Sequence, residues 1–471
     1  MKLYNTLSRQ LEEFAPIEAG HVRLYTCGPT VYDYAHIGNF RAYVFEDLLR
    51  RYLKHEGLRV TQVMNLTDVD DKTIRGALRS GVPLQDYTRT FKDAFFQDLK
   101  ALHIEPAELY PAATDHIPDM IALIQRLLDR GFAYRSDDGS VYFSIAKFPG
   151  YGKLAHLDMA GLRPGARVAH DEYEKENVAD FALWKAWDEA DGAVFWQSPW
   201  GRGRPGWHIE CSAMSMRYLG ETFDIHTGGV DNIFPHHEDE AAQSEAATGK
   251  AFVRYWVHCA HLVVDGRKMS KSLGNFYTLR DILGRGYTGR EIRYVLLSAQ
   301  YRQSLNFCFD ALDGARAALA RLDEFRGRIR EAAGAETAGA KGRDPLADAP
   351  PWAQEARADF RAGLDDDLNI SAAWSAIFDM THRGNRALDA GQVSAPAAAA
   401  VEALLDDFDR VLGLLTPASE QADDATLGLL EERESARRAR DWKESDRLRD
   451  ELAARGWTIQ DTPKGPKLRR K

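Results

Sequence analysis

The sequence predicts an α/β protein in which a doubly wound parallel sheet carries an insertion and is followed by a helical bundle and a small C-terminal domain. Three observations support this prediction. Strand and helix patterns alternate near the N-terminus, residues 115–200 break that alternation with turn-rich sequence, and the pattern beyond about residue 306 is helical. A chain of 471 residues exceeds the usual size of one core, so several domains are expected.

The first elements predict a βαβ unit. Residues 22–26 are predicted as a strand, and the turn Cys27-Gly28-Pro29 follows it. Apolar residues at helical spacing predict a helix from about Ile37 to His55, which Gly57 ends, and residues 60–66 predict the next strand. Strand, helix and strand in this order form a right-handed crossover, which begins a parallel sheet.

Later segments return to this pattern after the insertion, which contains FPGYGK, GLRPGAR and DEYEKENVAD. Residues 223–227 and 261–265 are predicted strands, with a helix from about His236 to Thr248 between them. The Ala/Gly-rich stretch 332–351 is predicted to connect helices, and TPASEQADDA is a last linker before a basic tail.

Composition favours a globular cytoplasmic enzyme. The chain is 44% hydrophobic and 28% charged. The residues MKLYNTLSRQLEEFAP lack the pattern of a secretory signal, so none is expected, and without a run of about 18 apolar residues a membrane span is not expected either. Four scattered cysteines exclude a disulfide scaffold and predict buried thiols or metal ligands.

The charge distribution is asymmetric. The net charge of −10 argues against an indiscriminate nucleic-acid coat, yet residues 431–471 carry 13 basic and 9 acidic side chains. This balance predicts that a polyanion is held at selected places. A solvated helix with a frayed basic end is the alternative interpretation.

The segment YAHIGN places His36 and Asn39 at the predicted start of the first helix. The N–H groups and the positive end of the helix dipole make such a place an anion site. Gly38 allows a ligand to approach the backbone, and both side chains can donate hydrogen bonds to phosphate. Taken alone, a histidine at a helix start is more often a cap or a satisfied core residue.

A second motif, DGRKMSKSLGN (265–275), contains two lysines three residues apart, Lys268 and Lys271, beside Ser270 and Ser272. This pattern suits a mobile clamp on a triphosphate, whose charge acts most strongly as pyrophosphate leaves. A solvated basic loop is the alternative.

The two motifs together resemble the paired motifs of class I aminoacyl-tRNA synthetases. The resemblance implies that His36, Asn39, Lys268 and Lys271 are catalytic, and that these four residues bind ATP together with Gly38 and Ser270. The family's first motif ends in His where this chain has Asn39, which can donate to phosphate but carries no charge.

Three further segments predict a metal site. PGWHIEC contributes Cys211, and FPHHEDE contributes His236 and Glu240, which a spacing of four places on one face of a helix. With Cys27 at the end of the first strand, these ligands suit Zn²⁺. His237 competes for the imidazole position and Glu238 for the carboxylate position. Buried thiols with an exposed His-Glu pair are the other interpretation.

Motifs along nearly the whole chain resemble bacterial cysteinyl-tRNA synthetases. They are HIGN, NLTDVDDK, DFALWK, GWHIECSAM, FDIHTGGVD, FPHHEDE, KMSKSLGN and WKESDRLRDEL…DTP. The resemblance implies one zinc per chain, held by Cys27, Cys211, His236 and Glu240, that takes the thiolate of substrate cysteine. It places Trp207 and His226 in the amino-acid site, and Thr67 and Asp231 less firmly.

The tail resembles an anticodon-binding domain but ends in KGPKLRRK, without the tryptophan that the family has near its end. Four residues combine charge, stacking and hydrogen bonding to unstacked bases: Arg437, Trp442, Asp446 and Asp461. Trp442 could instead pack the helices of the tail together.

The expected domains follow from these motifs. They are a Rossmann-like catalytic domain in two halves (1–114 and 201–260), a connective insertion (115–200), a KMSKS-containing stem-contact region (261–305), a helical bundle (306–420) and a basic anticodon-binding domain (421–471).

The predicted reaction is the ATP-dependent ligation of L-cysteine to cysteine tRNA through a cysteinyl-adenylate, by a monomeric enzyme that uses ATP with Mg²⁺. Zinc prefers a soft thiolate to the hydroxyl of serine, whereas an apolar pocket separates such isosteres by only ~1–3 kcal/mol. One alternative is a ligase that joins cysteine to a small amine such as an amino sugar. The other is a non-enzymatic RNA-binding protein with a structural zinc.

Overall fold

The structure, a computed structural model, describes residues 1–157, 180–334, 348–415, 424–439, 441–455, 457–462 and 465–470. Two compact units contain them, Met1–Leu415 and Thr416–Lys471. The predicted connection GLRPGAR lies outside the described residues, as do most of DEYEKENVAD, of the 332–351 stretch and of TPASEQADDA.

The described strands are short and mostly buried. They are β1 (Lys2–Asn5), β2 (Gln10–Glu13), β3 (His21–Thr26), β4 (Arg59–Met64), β5 (Ala133–Arg135), β6 (Val141–Phe143), β7 (Ala182–Ala186), β8 (Trp196–Ser198), β9 (Gly201–Pro205), β10 (Phe223–Gly229), β11 (Val253–Cys259), β12 (Leu262–Val264), β13 (Arg267–Lys268), β14 (Leu305–Phe307), β15 (Trp457–Thr462) and β16 (Gly465–Arg470).

The α-helices alternate with the strands at first and then follow one another. They are α1 (Ile37–His55), α2 (Asp71–Ser80), α3 (Leu84–Ala101), α4 (Ile117–Asp129), α5 (Trp207–Leu219), α6 (Glu238–Thr248), α7 (Leu279–Leu283), α8 (Gly289–Leu296), α9 (Phe309–Ala333), α10 (Pro351–Asp365), α11 (Ile370–Asp389), α12 (Ala395–Leu412), α13 (Asp424–Arg438) and α14 (Trp442–Ala454).

A parallel sheet of four strands in the order β11-β10-β3-β4 forms the centre of the first unit. Thr26 at the end of β3 pairs with Met64 on one side and with Thr227 on the other. The carboxyl ends of the strands therefore share one edge, which is where open α/β sheets bind their ligands. The predicted βαβ unit is confirmed.

A strand does form within the predicted range 261–265, but its assignment to the parallel sheet is wrong. β12 belongs to a separate sheet with the order β13-β12-β14, and the parallel sheet is completed by β11, which the sequence pattern did not predict. A short buried apolar run is compatible with either a strand or a helix, so the periodicity of the sequence did not identify β11 as a strand.

The helix that crosses from β3 to β4 is buried over most of its surface. His36 and Asn39 form a capping box at the start of α1, and Lys54 and His55 occupy its last turn, where cations complement the helix dipole. Its buried Asp47 pairs with Arg293 and with Arg51, so charge inside the core is compensated.

The insertion contains an antiparallel sheet of five strands in the order β5-β6-β7-β9-β8. Its strands and α4 share an apolar core that includes Ile124, Phe143 and Trp184. In the rest of the unit, α10 packs against α11 and α12 against α9, and Phe360 stacks on Phe408 with ring centroids 4.2 Å apart.

The second unit combines α13 and α14 with an antiparallel pair, β15 and β16. The expectation of helices from residue 306 onwards is therefore wrong for the last strands, because Trp457 and Ile459 alternate with the polar Thr458 and Gln460 at the period of a strand. In the part of the chain that the structure describes, no helix is both long and apolar enough to span a membrane.

Candidate active site and metal centre

The carboxyl edge of the parallel sheet gathers the predicted metal ligands. One ligand atom from each of Cys27, Cys211, His236 and Glu240 lies within 4.8 Å of the other three. Cys27 follows β3, Cys211 lies on α5, Glu240 lies on α6, and His236 lies in a short π-helical turn, Ile233–His237, that leads into α6. Three segments far apart in the sequence thus meet at one point.

The spacing of these atoms suits a tetrahedral ion. His236 Nε2 lies 3.0 Å from Glu240 Oε1 and 3.5 Å from Cys211 Sγ, and Cys27 Sγ lies 3.8 Å from Glu240 Oε1. Ligands bound to zinc at 2.0–2.3 Å in a tetrahedron are about 3.3–3.8 Å apart. The separations of 3.5 and 3.8 Å lie in that range and the separation of 3.0 Å is slightly shorter, so the residues fit a zinc ion in chemistry and closely in spacing.

A second donor set overlaps the first. Cys27, His226, His237 and Glu240 also lie within 4.8 Å of one another, and Cys27 Sγ is 3.2 Å from His237 Nε2. This set offers one sulfur where the first offers two. Soft thiolates favour zinc over harder cations, so the first set is the stronger zinc site.

Glu238, the competitor for the carboxylate position, is committed elsewhere. Its carboxylate accepts hydrogen bonds from the backbone N–H groups of Gly152, Leu154 and Ala155 at 2.7–2.9 Å. Its role is to anchor the turn at residues 152–155 to α6.

A chain of polar contacts orients His236. Its Nδ1 lies 2.7 Å from His208 Nδ1, His208 Nε2 lies 3.3 Å from Asp239, and Tyr151 donates a hydrogen bond to Asp239 at 2.6 Å. If His208 donates to Asp239, then His236 donates through Nδ1 and keeps the lone pair of Nε2 directed at Cys211 and Glu240. Metal-ligating histidines are usually fixed by such a partner.

Burial favours uncharged forms of these groups in the protein alone. Burial and the neighbouring Cys211 raise the pKa of the Cys27 thiol, and burial and Cys211 also raise the pKa of Glu240. Burial lowers the pKa of His226 to about 3. A divalent cation would reverse these preferences for the Cys27 thiol and the Glu240 carboxyl, because metal ligands bind in their deprotonated forms.

The predicted cysteine-site residues divide into two pairs. Trp207 stacks on His236 with ring centroids 4.3 Å apart, and His226 Nε2 lies 2.9 Å from Glu240 Oε2, so both touch a candidate metal ligand. Thr67 is buried after β4, where its hydroxyl accepts from Asn65 Nδ2 at 3.1 Å. Asp231 is exposed after β10.

The first nucleotide motif forms the start of α1. Asn39 N–H donates to His36 Nδ1 at 3.2 Å and His36 N–H donates to Asn39 Oδ1 at 3.0 Å, so both residues act as caps. His36 Nε2 and Asn39 Nδ2 take no part in those bonds. A side chain at Gly38 would lie 3.0 Å from the His36 ring and 3.2 Å from Met269, so glycine allows the two motifs to meet.

The second motif is an exposed loop next to that helix start. Asp265 and Gly266 both have positive φ, as a two-residue hairpin turn requires, and they join β12 to β13. Lys271 Nζ lies 2.8 Å from Asp33 and 5.1 Å from the centre of the Phe276 ring. The hydrogen bond to Asp33 raises the pKa of Lys271, which keeps it cationic.

Two hydrogen bonds within the KMSKS loop and one to the start of α1 hold the loop and the residues that follow it. Ser270 N–H donates to Asn275 Oδ1 at 2.9 Å, and Asn275 Nδ2 donates to the Lys268 carbonyl at 3.2 Å. Ile37 N–H donates to the Tyr277 carbonyl at 2.9 Å, which joins the loop exit to the start of α1. The two predicted nucleotide motifs therefore lie side by side.

The predicted anticodon residues lie in the second unit. Arg437 lies in the last turn of α13. Trp442 begins α14 with 60% of its surface exposed, so Trp442 does not pack the two helices together. Asp446 pairs with Arg449 at 3.2 Å. Asp461 belongs to β15, and its side chain lies outside the described residues.

The residues that support the cluster were not predicted from the sequence. His208 and Asp239 orient His236, and His258 Nε2 lies 2.8 Å from His237 Nδ1. His208 precedes Cys211 by three residues, which is a helical spacing that could have indicated a shared face. No periodic pattern links Asp239 or His258 to the site.

Comparisons with known proteins agree with the fold. The fold is similar to that of Mycobacterium tuberculosis methionyl-tRNA synthetase in complex with methionyl-adenylate, with a TM-score of 0.61 and 18% sequence identity. The superposition covers 83% of this chain and 89% of that one. A parallel sheet with the two nucleotide motifs at its carboxyl edge defines a class I aminoacyl-tRNA synthetase. Residues 13–317 match the family model of the tRNA synthetases class I (C) catalytic domain.

The particular family follows from more similar relatives. The chain is 53% identical over 476 aligned residues to the cysteine--tRNA ligase of Protochlamydia amoebophila, covering 100% of this chain and 98% of that protein. It is 50% identical to the cysteine--tRNA ligase of Chlamydia pneumoniae, over 99% of this chain and 97% of that protein. The chain belongs to the cysteine--tRNA ligase family.

The remaining matches account for the C-terminal part of the chain. Residues 359–416 match the DALR domain, and residues 420–469 match the cysteinyl-tRNA ligase anticodon binding domain. An anticodon-binding domain has no purpose in a ligase for small amines, and a catalytic domain has none in a passive RNA-binding protein. Neither alternative function is supported.

Proposed function

We propose that this enzyme ligates L-cysteine to cysteine tRNA through a cysteinyl-adenylate, and that it selects cysteine by its sulfur at a zinc site formed by Cys27, Cys211, His236 and Glu240. The observation that supports the proposal is the convergence of these four buried ligand atoms within 4.8 Å at the sheet edge beside the nucleotide motifs. When bound, zinc would supply a preference for thiolate sulfur over the hydroxyl oxygen of serine.

The residues of the cluster keep the donor groups fixed and dry. Cys211, His236 and Glu240 are almost completely buried, so water competes little for the ion. In this proposal His226 orients Glu240 through its contact with Oε2, and Trp207 covers one face of the His236 ring. Fixed orientation and exclusion of water are the usual contributions of the shell around a metal.

The nucleotide motifs bind ATP, together with Mg²⁺, in this proposal. His36, Gly38 and Asn39 hold phosphate at the start of α1, and Lys268, Ser270 and Lys271 approach the β- and γ-phosphates from the loop. The cysteine carboxylate attacks the α-phosphate, and pyrophosphate leaves with its charge balanced by the lysines. The terminal ribose hydroxyl of the tRNA then attacks the cysteinyl carbonyl, forming the ester and releasing AMP. Positioning and charge stabilisation suffice for such a reaction.

Charging assays with three amino acids test this function. Total tRNA is incubated with the purified enzyme, ATP and either cysteine, serine or alanine, and only cysteine is expected to be esterified. A Co²⁺-substituted enzyme should gain a sulfur-to-metal absorption band with cysteine and none with serine. Rejection of serine by a metal-free enzyme would contradict the role of the metal, while the ligase activity would stand.

The choice between the two donor sets has a matched pair of variants. His236→Ala should lose the zinc, whereas His237→Ala should keep it, because only His236 belongs to the set with two sulfurs. Zinc content is measured by elemental analysis of the purified proteins. Retention by His236→Ala together with loss by His237→Ala would assign the metal to the second set.

The second unit is proposed to bind the anticodon through Arg437, Trp442 and Asp446, with Asp461 on β15. The exposed ring of Trp442 is available for stacking on an unpaired base, which contributes about 1–3 kcal/mol. A chain that ends at Leu415 should retain cysteine-dependent pyrophosphate exchange and lose tRNA charging. The affinity of the shortened chain for tRNA should depend less steeply on salt than that of the full chain, because fewer phosphates are contacted. Normal charging would exclude this role.

A further inference from the structure

An open cavity of about 410 Å³ lies beside Lys271, between α2, the start of α3 and residues 32–33. Four cations border it, Lys72, Arg75, Arg79 and Lys271, and one carboxylate, Asp33. Because Asp33 is engaged by Lys271 at 2.8 Å, the other three cations are left without a carboxylate at the cavity. We call this cavity the basic pocket.

The three cations occupy one face of α2. The positions 72, 75 and 79 are spaced by three and four residues, which places their side chains side by side. All three are exposed, and within the described residues none forms an ion pair shorter than 4 Å. An uncompensated row of this kind attracts a polyanion.

The carboxylates at the start of α2 do not neutralise that row. Asp70 caps the helix by accepting from Thr73 N–H at 2.6 Å, and Asp71 pairs with Lys185 at 3.2 Å and also with Arg204. Asp71 is therefore engaged by two cations outside the pocket, and among the described residues no ion pair with Arg75 or Arg79 is found.

Aromatic rings form the floor of the basic pocket. Tyr32 is 37% exposed and lies under Lys72, whose Nζ is 5.3 Å from the ring centre. Tyr87 lies against α2 at Gly76, where a Cβ atom would come within 2.2 Å of its hydroxyl. Glycine inside a helix costs about 1 kcal/mol relative to alanine, and here it makes room for this ring. Tyr87 also donates to the Tyr32 carbonyl at 2.7 Å, which ties its ring to the backbone that carries Tyr32.

Exposed aromatic rings beside uncompensated cations are the arrangement that binds single-stranded nucleic acid, since the rings stack on bases and the cations pair with phosphates. The volume suits one or two nucleotides and is too small for a duplex. We infer that the basic pocket binds the unpaired 3′ end of the tRNA, in the nucleotides that precede the ribose to which cysteine is attached. The inference rests on the proposed function, which requires that ribose to reach the site beside Lys271.

ATP is a weaker candidate for this pocket. The proposed triphosphate site lies at His36 and Asn39 and shares only Lys271 with the pocket, and the triphosphate needs no row of three further cations. The experiment must therefore distinguish an RNA role from an ATP role, and both from a general attraction of RNA.

The test variant is Arg75→Gln/Arg79→Gln, and the matched control is Arg89→Gln/Lys250→Gln. The control removes the same charge from two exposed side chains that pair with Asp86 and Glu221, outside the pocket. Three quantities are measured for each protein: cysteine-dependent pyrophosphate exchange without tRNA, the KM for tRNA in charging, and the affinities for intact tRNA and for tRNA trimmed of its unpaired 3′ nucleotides.

The test variant is expected to keep exchange within about two-fold and to raise the KM for tRNA about ten-fold, with the slope of log affinity against log salt reduced by about 0.7 for each lost contact. The unaltered enzyme should bind trimmed tRNA more weakly than intact tRNA, and the test variant should bind both alike. The control should match the unaltered enzyme.

Three results would overturn the inference. An undiminished preference for intact tRNA in the test variant would remove the pocket from 3′-end binding. An equal loss of affinity for trimmed and intact tRNA would indicate general attraction, and a large loss of exchange would assign the pocket to ATP. Failure of the unaltered enzyme to charge tRNA with cysteine would instead contradict the proposed function.

A stacking variant provides an independent measurement. Tyr32→Ala should lose the preference for intact tRNA, and Tyr32→Phe should keep it, because phenylalanine retains the ring without the hydroxyl. Equal behaviour of the two variants would contradict a stacking role for Tyr32.

Discussion

The candidate metal cluster and the KMSKS loop, which the proposed function assigns to one active site, are held in opposite ways. The cluster's ligand atoms are buried, and Glu240 and His236 each contact a further histidine that orients them. The loop is exposed, and Lys271, with 68% of its side chain accessible, is tied mainly by one ion pair with Asp33. The difference concerns what each region must do.

Selection of sulfur over oxygen depends on donor atoms that do not move, because a loose site accepts either element. A clamp on leaving phosphates must close on them and then release them, and an exposed ion pair worth about 0–1 kcal/mol permits both. Changes in the cluster should therefore abolish binding of a component, whereas changes in the loop should slow a step and leave binding intact.

The largest effect is expected from Cys211→Ser. Zinc content should fall from about one per chain to near zero, and cysteine-dependent pyrophosphate exchange should fall by more than about 100-fold, since changes behind the ligands alone cost 10–100-fold. ATP binding should be largely kept. Cys308→Ser, which alters a cysteine outside the cluster, is the control, and elemental analysis and exchange assays are the measurements. A Cys211→Ser enzyme that still contains one zinc per chain would contradict the assignment of Cys211 as a metal ligand.

Lys271→Ala should slow adenylate formation about 100-fold, the usual cost of losing one group that stabilises transition-state charge. The KM for cysteine should change by less than about two-fold, because the lysine acts on phosphates. Asp33→Asn is the matched variant that frees the lysine and keeps its charge, and it should alter the rate by less than about five-fold. An unchanged exchange rate in Lys271→Ala would remove this lysine from the mechanism.

Asp239→Asn tests whether the residues behind the metal ligands hold the cluster in place. Loss of the carboxylate that holds His208 should weaken zinc binding about 10–100-fold without affecting the KM for ATP. Competition with a chelator measures the affinity, and Glu245→Gln on the same helix, which alters the partner of Lys153, is the control. Unchanged zinc affinity in Asp239→Asn would favour the donor set that contains His237.

The smallest effect on activity is expected at Glu46, a fully buried carboxyl of α1 that accepts from the Thr227 hydroxyl at 3.0 Å and whose contribution is to stability. Burial raises its pKa from 4.5 to about 8. The unfolded chain releases this proton near pH 4.5 and the folded protein retains it, so the contribution to stability is complete at low pH and is lost as pH rises towards 8.

Glu46→Gln should remove this pH dependence, which can reach about 1.4 kcal/mol per pH unit between those values. Unfolding temperatures measured from pH 5 to pH 8.5 should therefore fall less steeply for the variant than for the unaltered protein. Parallel curves for the two proteins would show that Glu46 ionises normally in the folded state.

Local sequence patterns predicted the elements that local physics controls. The helical period of α1, the capping residues at its start and the Asp265-Gly266 turn can each be read within a few residues, because backbone geometry and hydrogen bonding at short range determine them. β11 and the strand pair at the end of the chain were missed, because their short patterns gain meaning only from the neighbours with which they pair.

The sequence by itself determined the family, the two nucleotide motifs and the residue types from which a zinc site could be built. Only the tertiary structure decided which of those residues meet. His236 and His237 are neighbours in the chain, and the fold turns one towards Cys211 and the other towards Cys27. Likewise, the carboxylate of Glu238 accepts hydrogen bonds from backbone N–H groups, and the basic face of α2 lies beside Lys271. Distances between residues far apart in the sequence depend on how helices and sheets pack, and no local pattern encodes that packing.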